Sequence, residues 1–154
     1  MTRVLVRMER AIEDATRHAD PGVTIRPWDR TTDHDRVPRV YAAAFEEQPW
    51  PDDWDRFDEF DPGGVFVAED RGSLVGFTIC FPRDPGGYVS VVAVIPSHRR
   101  RGIASALVEA AITHLGSRGA RVIRIDAWGD SPAAVGTYLA LGFTPYEVKL
   151  DDDT

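Results

Sequence analysis

A basic turn with one glycine follows a run of β-branched residues that extends from Tyr88 to Pro96. The turn reads Arg99-Arg100-Arg101-Gly102-Ile103-Ala104, and apolar residues then recur every four positions up to Leu115. This pattern predicts a strand, a turn and an amphipathic helix in succession. Such a turn directs the free backbone N–H groups of a helix N-terminus at one point, which favours binding of a phosphate or pyrophosphate.

The residue types in the turn suit an anion. Gly102 has no Cβ and allows a pyrophosphate to approach the backbone, while arginine side chains add charge-assisted contacts. Two alternatives remain: a surface loop with solvated arginines, and a dinucleotide-binding fold, although the Gly-x-Gly-x-x-Gly pattern of the latter is missing. The candidate phosphate-binding residues are Arg99, Arg100, Arg101, Gly102, Ile103, Ala104 and Ser105.

Two motifs resemble those of the GCN5-related N-acetyltransferases, the GNAT superfamily. The acyl-coenzyme A signature of that family, Gln/Arg-x-x-Gly-x-Gly/Ala, is matched by Arg99, Gly102 and Ala104. The second motif of the family reads Asn-x-x-Ala-x-x-x-Tyr-x-x-x-Gly-Phe. It is matched by Ser131, Ala134, Tyr138, Gly142 and Phe143, with serine in place of asparagine at the first position. The order and spacing of both motifs agree with the family from about Val23 to Leu150.

The resemblance implies acetyl-coenzyme A as co-substrate and assigns roles to several residues. Tyr138 would protonate the departing thiolate, which reference pKa values of about 10 for a phenol and 8.5 for a thiol permit; the alternative is a packed aromatic. Ser131 would contact the cofactor or simply cap the helix that begins at Pro132. A gap beside the central strand would let a backbone N–H near Val92, Ala93 and Val94 hold the thioester oxygen.

Three carboxylates are candidates for the general base that receives the proton of an acceptor amine: Asp126 at the end of a strand, and Glu46 and Glu47 in a loop before Trp50. For each the alternative is a solvated surface carboxylate. Between Glu46 and Asp61 eight carboxylates face a single arginine, Arg56, which would attract a cationic amine. The segment Phe45 to Phe66 also resembles the mycothiol synthase-type branch of the superfamily.

The expected fold is an α/β domain with a mixed sheet and helices on both faces, which agrees with the GNAT fold. Residues 23–150 form this domain. Residues 1–22 are expected to be a helical extension, because Leu5, Met8 and Ile12 recur at spacings of three and four. The extension would pack either on the domain or on a second subunit. The second arrangement would make the protein a homodimer, and the sequence does not decide between the two. Residues 151–154 are expected to be a disordered acidic tail.

Composition narrows the class of function. The net charge of −7 argues against general nucleic-acid binding. The single cysteine, Cys80, and the lack of long apolar runs indicate a cytoplasmic protein without a membrane partner. No metal-ligand spacing is present. The predicted function is acetyl transfer from acetyl-coenzyme A to a small-molecule amine; protein or peptide acetylation and a coenzyme A-binding module without turnover are the alternatives, and a nucleotide-binding redox domain ranks third.

Overall fold

The computed structural model describes residues 2–11, 22–45, 50, 61–128 and 132–152. These residues form one seven-stranded sheet of order β2-β3-β4-β5-β6-β1-β7. All described neighbours pair antiparallel except β5 and β6, which are parallel. The strands are β1 Thr2–Ala11, β2 Thr24–Pro27, β3 Val65–Asp70, β4 Ser73–Arg83, β5 Gly86–Val94, β6 Val122–Trp128 and β7 Thr144–Asp152.

Helices cover both faces of this sheet, as the sequence predicts. One face buries the apolar sides of α3 and α4 against β5, β6 and β1, with Leu107, Val108 and Leu115 among the fully buried side chains. On the other face α2 packs on β3, β4 and β5 through Val37 and Val40. The helices are α1 Arg30–Asp33, α2 Val37–Ala44, α3 Ile103–Ser117 and α4 Pro132–Ala140.

The helix predicted for the first twenty residues is wrong over Thr2–Ala11, which form strand β1. This strand lies inside the sheet, hydrogen-bonded to β6 on one side and to β7 on the other. Val6 and Met8 alternate with Arg7 and place their side chains on the α3–α4 core. Pairing on two sides satisfies the backbone of the whole segment and overrides a helical spacing in the sequence. Residues 12–21, with Ile12, lie outside the described part.

Two further boundaries differ from the predictions. The apolar spacing of Val37, Val40 and Tyr41 predicts one helix over 33–45, but α2 begins only at Val37. Asp33 instead ends α1 and is buried among Arg26, Arg36 and the backbone N–H of Asp29. The disordered tail predicted over 151–154 is wrong at Asp151 and Asp152, which pair with β1 as the end of β7. Asp153 and Thr154 lie outside the described residues, as does the short helix predicted over 52–60.

Candidate active site

The central feature of the site is the place where β5 and β6 separate. Their parallel pairing covers only three residue pairs and ends at Val89 and Ile125. Strand β5 continues to Val94, held on its other edge by β4. A bulge lies at this point, because Cys80 pairs with Val89 and Ile79 pairs with Val91, which leaves the exposed Ser90 as the extra residue. Past this point β5 presents an edge that has no partner strand among the described residues.

The side chains that follow Ser90 hold this edge in place. Val92 packs against the α3–α4 core, Ala93 is buried on the α2 face, and Val94 packs against Ile103 at the start of α3. The backbone of these three residues, which the sequence singles out, therefore lines the opening. An unpaired strand edge offers N–H and C=O groups to an extended ligand that contains amides.

The turn after β5 ends in an uncapped helix. Gly102 is the N-cap of α3 with φ of 81°, and no side chain caps the helix. The first bond in the helix runs from the N–H of Ala106 to Gly102 O at 3.0 Å, which leaves the N–H groups of Ile103, Ala104 and Ser105 without an acceptor in the helix. A Cβ at Gly102 would meet nothing within 4 Å. This geometry, with exposed Arg100 and Arg101 beside it, suits an anion.

The side chain of Arg99 is used within the protein. Its Nε donates to the carbonyl oxygen of Val94 at 3.2 Å, and a terminal nitrogen donates to that of Ala44 at 2.7 Å. The guanidinium thus ties the end of β5 to the end of α2. The position of His98 beside the basic turn predicts a solvent-exposed loop residue. Its Nε2 instead lies 2.8 Å from an Asp70 carboxylate oxygen, and its side chain is only 18% exposed. Both side chains position the turn; binding of a phosphate by Arg99 stays a prediction.

Tyr138 lies on α4 in the core cluster that contains Val89 and Ala127, and its ring meets Phe143 edge to face at 6.2 Å. The residue is 7% exposed, and burial raises the pKa of Tyr138 to about 12. No hydrogen bond to its hydroxyl is formed by any described residue. The structure thus supports the packing role. Burial keeps the phenol protonated but also makes it a weaker acid, so the role of Tyr138 as general acid stays a prediction. Ser131, the residue directly before α4, lies outside the described residues.

Asp126 is the first residue of β6 beyond the last pair with β5. Its neighbours Ile125 and Ala127 face the α3–α4 core, so the Asp126 side chain lies on the opposite face. There it accepts a hydrogen bond from the Tyr88 hydroxyl at 2.7 Å and one from Arg7 Nε at 3.3 Å. The predicted carboxylate therefore lies at the opening between the strands, in an organised polar network.

An aromatic group borders the α2 side of the site. The ring of Trp50 lies 4.3 Å from that of Tyr41, and Tyr41 lies 4.7 Å from Phe45. Trp50 also meets Phe77 of β4 edge to face, at 6.2 Å. Tyr41 lies on α2, and Phe45 follows the end of this helix next to the Ala44 carbonyl oxygen that Arg99 binds. Glu46 and Glu47, between Phe45 and Trp50, lie outside the described residues, and their role stays a prediction.

Three residues of the site are not predicted by the sequence motifs: Arg7, Tyr88 and Ser90. Strand alternation opposite the buried Val89 is the signal that places Tyr88 on the acid-bearing face. The position of Arg7 was not predicted, because the helical spacing of its segment indicates a helix and not a strand inside the sheet. Nothing in the sequence marks Ser90 as a bulge, since a bulge depends on the register with β4.

Within the described ranges, no group of three or more His, Cys, Asp or Glu side chains is arranged to hold a metal ion. No helix in the same ranges is long and apolar enough to cross a membrane.

Comparison with known proteins identifies the family. Residues 28–143 match the acetyltransferase (GNAT) family, and the chain belongs to it. A protein named mycothiol acetyltransferase from Amycolatopsis mediterranei (strain U-32) is 38% identical over 146 residues, which cover 84% of this chain and 48% of that protein. The chain spans about half the length of the curated relatives it matches.

Solved structures share the fold. A GCN5-related N-acetyltransferase from Sphaerobacter thermophilus has a TM-score of 0.84 at 20% identity, over 97% of this chain and 50% of that one. An aminoglycoside N-acetyltransferase in complex with CoA has a TM-score of 0.67 at 21% identity, over 86% of this chain and 94% of that one. The predicted mixed sheet with helices on both faces is confirmed.

Proposed function

We propose that this chain transfers the acetyl group of acetyl-coenzyme A to a primary amine of a small molecule in the cytoplasm. The observation that carries the proposal is the separation of β5 from β6 after Val89 and Ile125, next to the uncapped start of α3. One ligand can span both features, with amides along the β5 edge and a pyrophosphate at the helix N-terminus. Coenzyme A has this order of groups. The complex of a solved relative with CoA also supports it.

The residues of the site fit direct attack by the amine. The nitrogen forms a bond to the carbonyl carbon, and the carbon–sulfur bond breaks. Asp126 receives a proton from the nitrogen, and Tyr138 donates one to the sulfur as the carbon–sulfur bond breaks. Asp126 then releases its proton to solvent and Tyr138 regains one, which restores both side chains. An amine that starts as ammonium releases one further proton to water, so the reaction yields an amide, a free thiol and a proton. No metal takes part in this scheme.

The relatives named mycothiol acetyltransferase support an acceptor that is a small molecule related to mycothiol. We expect the form of mycothiol that lacks its acetyl group to be a better acceptor than a peptide N-terminus or a lysine side chain. The organised charges around Asp126 and the aromatic rings at Trp50 and Tyr41 are suited to one compact amine.

The test is thiol release from acetyl-coenzyme A with three acceptor groups: deacetylated mycothiol, simple primary amines, and tetrapeptides with free N-termini. Transfer to a small amine with a kcat/KM at least tenfold above that of the peptides supports the proposal. Preference for peptides would replace the small-molecule acceptor by a protein N-terminus. If the protein binds coenzyme A but releases no thiol with any of the three acceptor groups, it is a cofactor-binding module without turnover.

A further inference from the structure

A polar row crosses four strands, β5, β6, β1 and β7, on the sheet face opposite α3. The Tyr88 hydroxyl on β5 donates to one Asp126 oxygen at 2.7 Å, and Arg7 Nε on β1 donates to the other at 3.3 Å. The row continues to β7, because a terminal nitrogen of Arg7 donates to Glu147 at 3.3 Å. Each oxygen of Asp126 therefore has a fixed donor from a different strand, which sets the orientation of the carboxylate.

Both donors are themselves held. Burial, and then the hydrogen bond to Asp126, raise the pKa of Tyr88, so its hydroxyl keeps the proton that it donates. The Arg83 guanidinium lies 4.7 Å from the centre of the Tyr88 ring. Arg7 is shared between two carboxylates, Asp126 and Glu147. Asp126 thus keeps acceptor capacity, since an ionised carboxylate has about four lone-pair positions and these two bonds use two.

The row is placed where the reaction requires it. Asp126 is one residue beyond the last pair of the β5–β6 ladder, whereas Tyr88 lies one residue before it. The hydrogen bond between them therefore crosses the point at which the strands separate. A carboxylate at this point, on the face bordered by α2, is open to an acceptor that enters the gap between the strands.

We propose that Tyr88 and Arg7 are positioning residues that orient Asp126 to take the proton of the attacking amine, and that β1 is therefore part of the active site. This inference rests on the proposed function. In the transfer step Tyr88 and Arg7 exchange no proton with the substrate; they hold the Asp126 oxygens while the nitrogen–carbon bond forms and the carbon–sulfur bond breaks.

The test compares two pairs of variants. Tyr88→Phe removes the hydroxyl bonded to Asp126, while Tyr146→Phe removes a buried hydroxyl on β7 for which the described structure has no hydrogen-bond partner. Arg7→Gln removes the charge bonded to Asp126, while Arg124→Gln removes a guanidinium that is bonded to Glu9 at 3.0 Å. Steady-state kcat, KM for the amine and Kd for coenzyme A are measured for each protein, with melting temperature as a check on folding.

We expect Tyr88→Phe and Arg7→Gln to lower kcat by about 10- to 100-fold, the rate equivalent of one charge-assisted hydrogen bond. Their Kd for coenzyme A stays within about twofold of the parent value, and Arg7→Lys recovers part of the loss because it restores the charge. Tyr146→Phe and Arg124→Gln keep kcat within about twofold. If Tyr88 and Arg7 had a purely structural role, their variants would have a lower melting temperature and a smaller fraction of folded protein. The kcat of each folded molecule would then be unchanged.

Two results would overturn the inference in different ways. If the parent protein is active and Tyr88→Phe behaves like Tyr146→Phe, the positioning role is wrong while the proposed function stands. If the parent protein acetylates no acceptor although it binds coenzyme A, the proposed function fails and the inference fails with it.

Discussion

Gly102→Asp tests the phosphate site most directly. Gly102 is the N-cap of α3 at φ of 81°, and its missing Cβ faces open space. A Cβ there would meet nothing within 4 Å, and an aspartate places a negative charge in front of the free N–H groups of Ile103, Ala104 and Ser105. At about 5 Å from a pyrophosphate charge the repulsion is about 3 kcal/mol at an effective dielectric constant of 20. This corresponds to a loss of more than about 100-fold in coenzyme A affinity.

The cost to the fold is small. A side chain at positive φ destabilises by about 1 kcal/mol, which lowers the melting temperature of a domain of this size by about 2–4 °C. Gly119→Asp is the matched control, because Gly119 follows the same helix at φ of 91° and its Cβ would also meet nothing within 4 Å. The two variants make the same chemical change at opposite ends of α3.

The assay is isothermal titration with coenzyme A at low and moderate salt, together with thermal unfolding. We expect Gly119→Asp to bind coenzyme A as the parent does, and Gly102→Asp to lose both the binding heat and the rise in melting temperature that the ligand gives. Parental affinity in Gly102→Asp would place the pyrophosphate elsewhere. Equal loss in both variants would show that strain in α3, and not the charge at its N-terminus, weakens binding.

Three further predictions concern other parts of the site and the fold. Tyr138→Phe should change the free energy of unfolding by less than about 1 kcal/mol, because no described residue bonds its hydroxyl, yet lower kcat by about 10²–10⁴-fold; parental kcat on a confirmed acceptor would leave water as the proton donor. Asp33→Ala should lower the free energy of unfolding, measured with urea at neutral pH, by about 3 kcal/mol. The reason is that the buried carboxylate binds Arg26 and Arg36. Burial opposes its ionisation, but the bonds from Arg26 and the N–H of Asp29 hold the pKa of Asp33 below its ordinary value. The stabilisation is therefore present above about pH 4 and is lost as pH falls through the lowered pKa, so a parent–variant difference that grows in acid would contradict this assignment. Arg99→Gln should lower the melting temperature by about 2–5 °C through the loss of bonds to Val94 and Ala44. Because this change also removes the charge, an unchanged salt dependence of coenzyme A binding would indicate that Arg99 positions the turn and does not contact phosphate.

The sequence by itself determined the segments whose pattern is local. The β-branched run before Pro96, the turn at Gly102 and the four-residue repeat of α3 all lie within about thirty residues, so their order predicts strand, anion site and helix directly. The start of α4 and the inward position of Tyr138 follow in the same way from helical spacing. Strands β3 and β4 were predicted because a turn at Arg71-Gly72 separates two apolar runs.

Only the tertiary structure decided what depends on partners distant in sequence. The segment from Thr2 to Ala11 contains both a helical and an alternating pattern, and the slot between β6 and β7 selects the strand. The separation of β5 from β6 depends on a register shift against β4 at Ser90, which no local pattern encodes. Arg7 and Asp126 are 119 residues apart in the chain, so only the folded sheet brings their charges together at the opening where we propose that the acetyl group is transferred.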